Sequence, residues 1–230
     1  MARLVEERKV DGFILPRTKI VDARIDLLRR LQVPFVLYGR TGDSTGCAWF
    51  DISGEDAIRD AVLRLAELGH RRIGFINGLT VYNYATLRLD GYREGLRRAG
   101  LQPDPSLVRE GATTMAAGEM LGSELLDLLE PPTAIVCALD LAALGVYRAA
   151  ETRGLLVGRD LSVLSYDGIP EAATATPPLT TYAVDTRAAG ACLAKMLFAL
   201  IRGTAPEDLR ETVPAHLIAR GSDGRAPITE

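Results

Sequence analysis

Short apolar runs alternate with longer stretches of helical periodicity along nearly the whole chain. Gly12-Phe13-Ile14-Leu15-Pro16, Phe35-Val36-Leu37-Tyr38, Cys47-Ala48-Trp49-Phe50-Asp51, Arg71-Arg72-Ile73-Gly74-Phe75-Ile76, Thr133-Ala134-Ile135-Val136-Cys137-Ala138 and Leu161-Ser162-Val163-Leu164-Ser165-Tyr166 are the apolar runs. Their side chains are apolar in succession rather than alternately, which predicts strands buried on both faces. Between them, apolar residues recur at helical spacing: Ile25, Leu28 and Leu31; Ile58, Ala61, Val62 and Leu65; Leu87, Tyr92 and Leu96. Ser53 with Asp56 marks a helix start, and Gly69 and Gly100 mark helix ends. Further helices are predicted over about 115–129, from Asp140 to near Gly154, and over 186–202. The run ending at Tyr166 reads as the last clear parallel strand, and 213–219 as one more strand.

Buried strands separated by amphipathic helices predict an α/β fold built on parallel sheets, with helices on both faces. Ligands of such sheets bind beyond the carboxyl ends of the strands. The polar residues standing there are Gly39-Arg40, Asp51, Asn77-Gly78, Asp140 and Asp167.

Composition narrows the chemistry. The 230 residues carry 27 Lys+Arg against 30 Asp+Glu, a net charge of −3, so the chain lacks the basic excess needed to grip nucleic acid by itself. Cys47, Cys137 and Cys192 are odd in number and form no C-x-x-C pair. They read as buried thiols of a reducing compartment, which makes the cytoplasm the expected location. Two separated histidines, His70 and His216, make no metal site. No phosphate loop of the G-x-G-x-x-G or G-x-x-x-x-G-K-[ST] kind occurs, nor a G-x-S-x-G elbow, so no cofactor is expected. No run is long and apolar enough for a membrane span, and the first residues have no apolar signal core. Asp140 and Asp167 can serve as an acid/base pair or as acceptors for a polyol, and Asp140 can equally cap a helix.

Several segments together resemble the lac repressor family of bacterial transcription regulators. Val10-Asp11-Gly12-Phe13-Ile14-Leu15 is similar to the family's VDGIIL strand. The stretch Leu65-Ala66-Glu67-Leu68-Gly69-His70-Arg71-Arg72-Ile73-Gly74-Phe75-Ile76 is similar to HLxxLGHRRIGFI, and Arg88-Leu89-Asp90-Gly91-Tyr92-Arg93 to RxxGYR. Pro132 to Asp140 with Ala143-Leu144-Gly145 resembles PTAIxAxND…ALG. Residues 161–167 resemble VSVVGFDD, and Pro177-Pro178-Leu179-Thr180-Thr181 matches PPLTT. These motifs follow the family's order over almost the entire chain.

The resemblance implies the family's effector-binding domain, which is periplasmic-binding-protein-like, with two similar parallel-sheet subdomains and an effector in the cleft. Residues 1–69 with 184–202 would form the N-terminal subdomain, 70–183 with 204–220 the C-terminal one, and 221–230 a tail. Arg88 matches the arginine that grips effector hydroxyls or carboxylate, Asp140 the acid of the ND pair, and Asp167 the first acid of GFDD. A planar donor fork facing carboxylate acceptors suits a polyhydroxy ligand. Asp51, Thr113, Tyr82 and Tyr84 complete the expected ligand contacts, the tyrosines by stacking on a sugar ring.

Departures from the pattern weaken the lac-type sugar contacts. Leu139 stands for the family's Asn, Gly168 for the second acid, Ser53-Gly54 for DN, and Thr113 for a loop aromatic. The family's helix-turn-helix headpiece and the first strand, helix and second strand of its N-terminal subdomain would precede the VDGFIL segment. Without them the sheet is expected to expose an edge. A truncated gene, a covering partner chain or a rearranged subdomain would each account for that. The expected function is that of a regulator's effector-sensing and dimerising module, reaching DNA only through such a headpiece. The alternatives are an extracytoplasmic sugar-binding transport protein and a small α/β enzyme using Asp140 and Asp167.

Overall fold

The computed structural model describes residues 1–7 and 9–227; the end of the expected 221–230 tail lies outside them. The chain divides into two compact units: Met1–Ser53, Val81–Tyr84 and Asp185–Val213 form the first, and Gly54–Thr80, Ala85–Val184 and Pro214–Glu230 the second.

In the first unit, β1 (Phe13–Pro16), β2 (Phe35–Tyr38) and β3 (Ala48–Ser53) run parallel, and β9 (Arg210–Pro214) lies beside β3, in the order β1-β2-β3-β9. Helix α1 (Ala2–Glu6) precedes β1. Helix α2 (Ala23–Arg30) starts at Asp22, whose side chain accepts the Arg24 N–H. Ile25 and Leu28 of α2 join Leu15, Phe35, Leu37 and Cys47 in one core. Helix α7 (Thr186–Ile201), capped by Asp185, packs on β1, β2 and β3. Strand β1 ends the sheet, and its Ile14 is 39 % exposed.

The second unit carries a six-stranded sheet in the order β10-β8-β7-β6-β4-β5. Its strands are β4 (Ile73–Ile76), β5 (Val108–Arg109), β6 (Ala134–Cys137), β7 (Ser162–Asp167), β8 (Thr180–Ala183) and β10 (His216–Ile218). All pairings are parallel except β10 against β8. Alternation along each strand sends neighbouring side chains to opposite faces. Ile76, Ile135, Cys137 and Val163 pack under α5 (Met115–Leu126) and α6 (Asp140–Thr152). On α4 (Asn83–Arg98), Tyr92 stacks on Phe75 at 4.9 Å and donates its hydroxyl to the Ile73 carbonyl at 2.7 Å. Helix α3 (Gly54–Glu67) packs on β6 and β7. It therefore groups with the second unit, whereas the boundary expected from sequence falls after it, at residue 69.

The sequence reading needs three corrections. The single strand expected over 213–219 is two strands, β9 and β10, in different sheets. The run ending at Tyr166 is not the last parallel strand, because β8 follows it in the same sense. Thr180 and Thr181 are fully buried in β8, and their hydroxyls donate to the Asp223 and Asp140 carboxylates. Paired in that way, a polar run behaves as a buried strand. Cys47 and Cys137 are buried thiols as expected, but Cys192 is half-exposed and its Sγ donates to Glu211 at 3.2 Å.

Residues 222–224 are fastened within the second unit. Ser222 donates to the Val163 carbonyl and accepts the Thr180 N–H, and Arg64 pairs with the buried Asp223 carboxylate at 2.6 Å. His70 is fully buried; its ring bridges the Thr133 and Ser162 hydroxyls, and its Nε2 lies 3.1 Å from the Gly224 carbonyl.

Candidate functional site

In the second unit the carboxyl ends of β4, β6 and β7 deliver Asn77, Asp140 and Asp167. Asp140 opens α6, where a carboxylate favours the helix N-terminus. It is 0 % exposed. One of its oxygens accepts from the Ser165 and Thr181 hydroxyls, the other from the N–H groups of Gly168 and Ile169 at 2.7 and 2.9 Å. Four internal donors thus converge on it, and its geometry is that of a hub holding the turn after β7.

That turn is unusual. Asp167 has φ +131°, a conformation in which side-chain-bearing residues are rare, and Gly168 follows at +79°. Strain of this sort persists only where the surroundings hold it, and the Asp140 bonds to Gly168 and Ile169 do so. Asp167 in turn accepts the Asp140 N–H. Burial raises the Asp167 carboxyl to about 6, against the nearby Arg88 charge, which lowers it; the Asp140 carboxylate adds to the rise.

Arg88 lies on α4 and is only 8 % exposed. Its guanidinium carbon sits 3.9 Å from the centre of the Tyr166 ring, a cation–π contact. The fork also donates to the Ala138 carbonyl at the end of β6. Asn77 anchors the start of α4 by donating to the Ala85 carbonyl at 2.9 Å, and its own side-chain oxygen accepts the Gly78 N–H. The backbone of Asn77 and Gly78 also binds Ala112 and Gly111. This holds the loop carrying the half-buried Thr113 beside the end of β4.

Arg88, Asp140 and Asp167 are therefore brought together, while Asp51, Tyr82 and Tyr84 belong to the first unit. There Asp51 pairs with Arg40 at 2.7 Å, and Arg40 lies over the Trp49 ring. Tyr82 and Tyr84 stack on each other at 5.8 Å, and residues 81–83 are hydrogen-bonded to 18–20. Sequence reasoning missed Tyr166, Ser165 and Thr181. The only local signal for Tyr166 was its place next to Asp167 at the end of β7, and the two hydroxyls have no local signature. Among the described residues no group of His, Cys, Asp and Glu could hold a metal ion, and no helix is long and apolar enough to cross a membrane.

Residues 62–222 match the model of the periplasmic binding protein-like domain. The HTH-type transcriptional regulator AglR of Rhizobium meliloti is 36 % identical over 233 residues, covering 98 % of this chain and 64 % of the regulator. RafR of Escherichia coli, also an HTH-type transcriptional regulator, is 34 % identical over 91 % of this chain and 62 % of its own length. The chain thus spans somewhat under two thirds of these curated relatives. Among solved structures, the complex of the transcriptional regulator CelR with cellobiose superposes with a TM-score of 0.90 at 33 % identity, over 96 % of this chain and 69 % of that one. A dimeric Lac repressor with a C-terminal deletion gives 0.84 at 30 %, over 98 % and 83 %.

Proposed function

The chain belongs to the periplasmic binding protein-like domain family, as the effector-binding part of lac-repressor-type regulators, and on that premise we propose that it senses a small sugar-like effector for a transcription regulator. The observation that carries this reading is the buried Arg88 fork held over Tyr166 beside Asp167. A guanidinium supplies planar donors and a carboxylate supplies acceptors, so adjacent ring hydroxyls meet both. Arg88 and Asp167 are the proposed ligand contacts of the second unit, with Thr113 at its rim. Asp140 acts chiefly by holding the Asp167 turn. Asp51, Tyr82 and Tyr84 are proposed as the first unit's own sugar contacts. Cellobiose bound to CelR supports a carbohydrate as the ligand class.

The effector binds and is released unchanged; no turnover is proposed. The protein acts in the cytoplasm as a homodimer, as the dimeric Lac repressor is in its structure. A whole regulator of this type reaches DNA through a helix-turn-helix element, the feature for which the HTH-type relatives are named. Effector binding alters DNA affinity only as far as it favours one arrangement of the protein over another. A thermal-shift screen against mono- and disaccharides, polyols and purines tests the reading. A sugar is expected to raise the melting temperature in the wild type and not in Arg88→Ala or Asp167→Ala. Stabilisation that survives both substitutions refutes the assigned contacts.

A further inference from the structure

Arg88 is in close contact with two other elements, β7 and the start of α3. Tyr166 covers one face of its guanidinium, and Gly54, the first residue of α3, lies against the rest of the side chain. A Cβ placed on Gly54 would stand 2.8 Å from Arg88 Nε and 3.3 Å from its Cγ. This closeness comes from the way α4 meets α3. A Cβ on Gly91 would collide with the Glu55 carbonyl, and one on Gly95 would stand 2.7 Å from Val62 Cβ and 2.9 Å from the Arg59 carbonyl. With two glycines at the crossing, α4 rests on the α3 backbone, and Arg88, one turn before Gly91 and Tyr92, is pressed against Gly54. Its fork is then tied to the Ala138 carbonyl.

We propose that Gly54 and Tyr166 are positioning residues for Arg88, and that the glycine at 54 determines specificity by setting how deep the guanidinium lies. A planar fork makes strong bonds only to oxygens near its own plane. A tilt or displacement therefore changes which pair of ring hydroxyls it can reach. Any side chain at position 54 needs the Arg88 Nε to move, because the α3 backbone carrying it is fixed by packing on β6 and β7. The geometry stands by itself; its consequence for ligand choice rests on the sugar-sensing reading.

Two measurements test this. The first follows the Arg88 Nε–H resonance in nitrogen–proton correlation spectra. Stacked on Tyr166, it is expected upfield of the ordinary arginine range. It is expected to stay there in Tyr166→Phe, to leave it in Tyr166→Leu, and to move in Gly54→Ala, whose circular dichroism matches the wild type. The second titrates cellobiose and ribose calorimetrically. Gly54→Ala is expected to change the ratio of the two affinities about tenfold, the scale of one displaced charge-assisted contact. Tyr166→Leu is expected to lose affinity that Tyr166→Phe restores. An unmoved resonance in folded Gly54→Ala overturns the inference, as does an unchanged ratio of the two affinities in that variant when both sugars bind the wild type. If neither sugar binds the wild type, the sensing reading fails for these sugars, and the resonance alone decides whether Gly54 and Tyr166 position Arg88.

Discussion

Replacing Asp167 with asparagine is expected to stabilise the fold at neutral pH while removing a ligand contact. The carboxyl is held at about 6 in the folded chain against an ordinary 3.8. The folded state therefore binds its proton more tightly than the unfolded state does. Stability contributed by the protonated form is complete below 3.8 and is lost as pH rises through 6. At about 1.4 kcal/mol for each tenfold in proton affinity, the ionised group costs about 3 kcal/mol at pH 7.5, about 1.6 at pH 5 and about 0.6 at pH 4. Asparagine mimics the protonated group: it is neutral, nearly isosteric, and its carbonyl still accepts the Asp140 N–H. At about 2–4 °C per kcal/mol for a chain of this size, the melting temperature is expected to rise by about 6–12 °C at pH 7.5. The assay is thermal unfolding of both proteins from pH 4 to pH 8, with the gap closing as pH falls. A pH-independent gap, or a less stable variant at pH 7.5, refutes the assignment of this cost to Asp167.

Asp140→Ala strands two buried hydroxyls and two backbone N–H groups, so a loss of about 3–5 kcal/mol is expected in denaturant unfolding, more than Asp140→Asn costs. Burial lowers the His70 pKa below its ordinary 6.5; stability is therefore full above that value and falls as pH drops below it. His70→Gln is expected to flatten this acid limb of the stability curve, which urea titrations at pH 7.5 and 5 measure. Gly145→Ala directs a methyl into the Met115 carbonyl where α5 and α6 cross, and is expected to lower stability by about 1–3 kcal/mol in the same assay.

Strand and helix positions were legible because buried parallel strands and amphipathic helices leave local periodicities. Phe35–Tyr38, Asn83–Arg98 and Thr186–Ile201 follow theirs closely. Arg88, Asp140 and Asp167 were singled out because strand ends and motif resemblance mark them. The roles of these residues were less visible. Whether Asp140 faces a ligand or the fold depends on Ser165, Thr181, Gly168 and Ile169, which are 25 to 41 residues away along the chain. The buried Thr180-Thr181 pair hid β8 for the same reason, since its partners are Asp223 and Asp140. The sequence alone determined the order of the elements and the charges they carry to the strand ends, because both are written in neighbouring residues. Tertiary structure alone decided which carboxylate is satisfied, which is raised and strained, and where the Arg88 fork rests. Those properties arise from desolvation and from donors that only the folded chain brings within bonding distance.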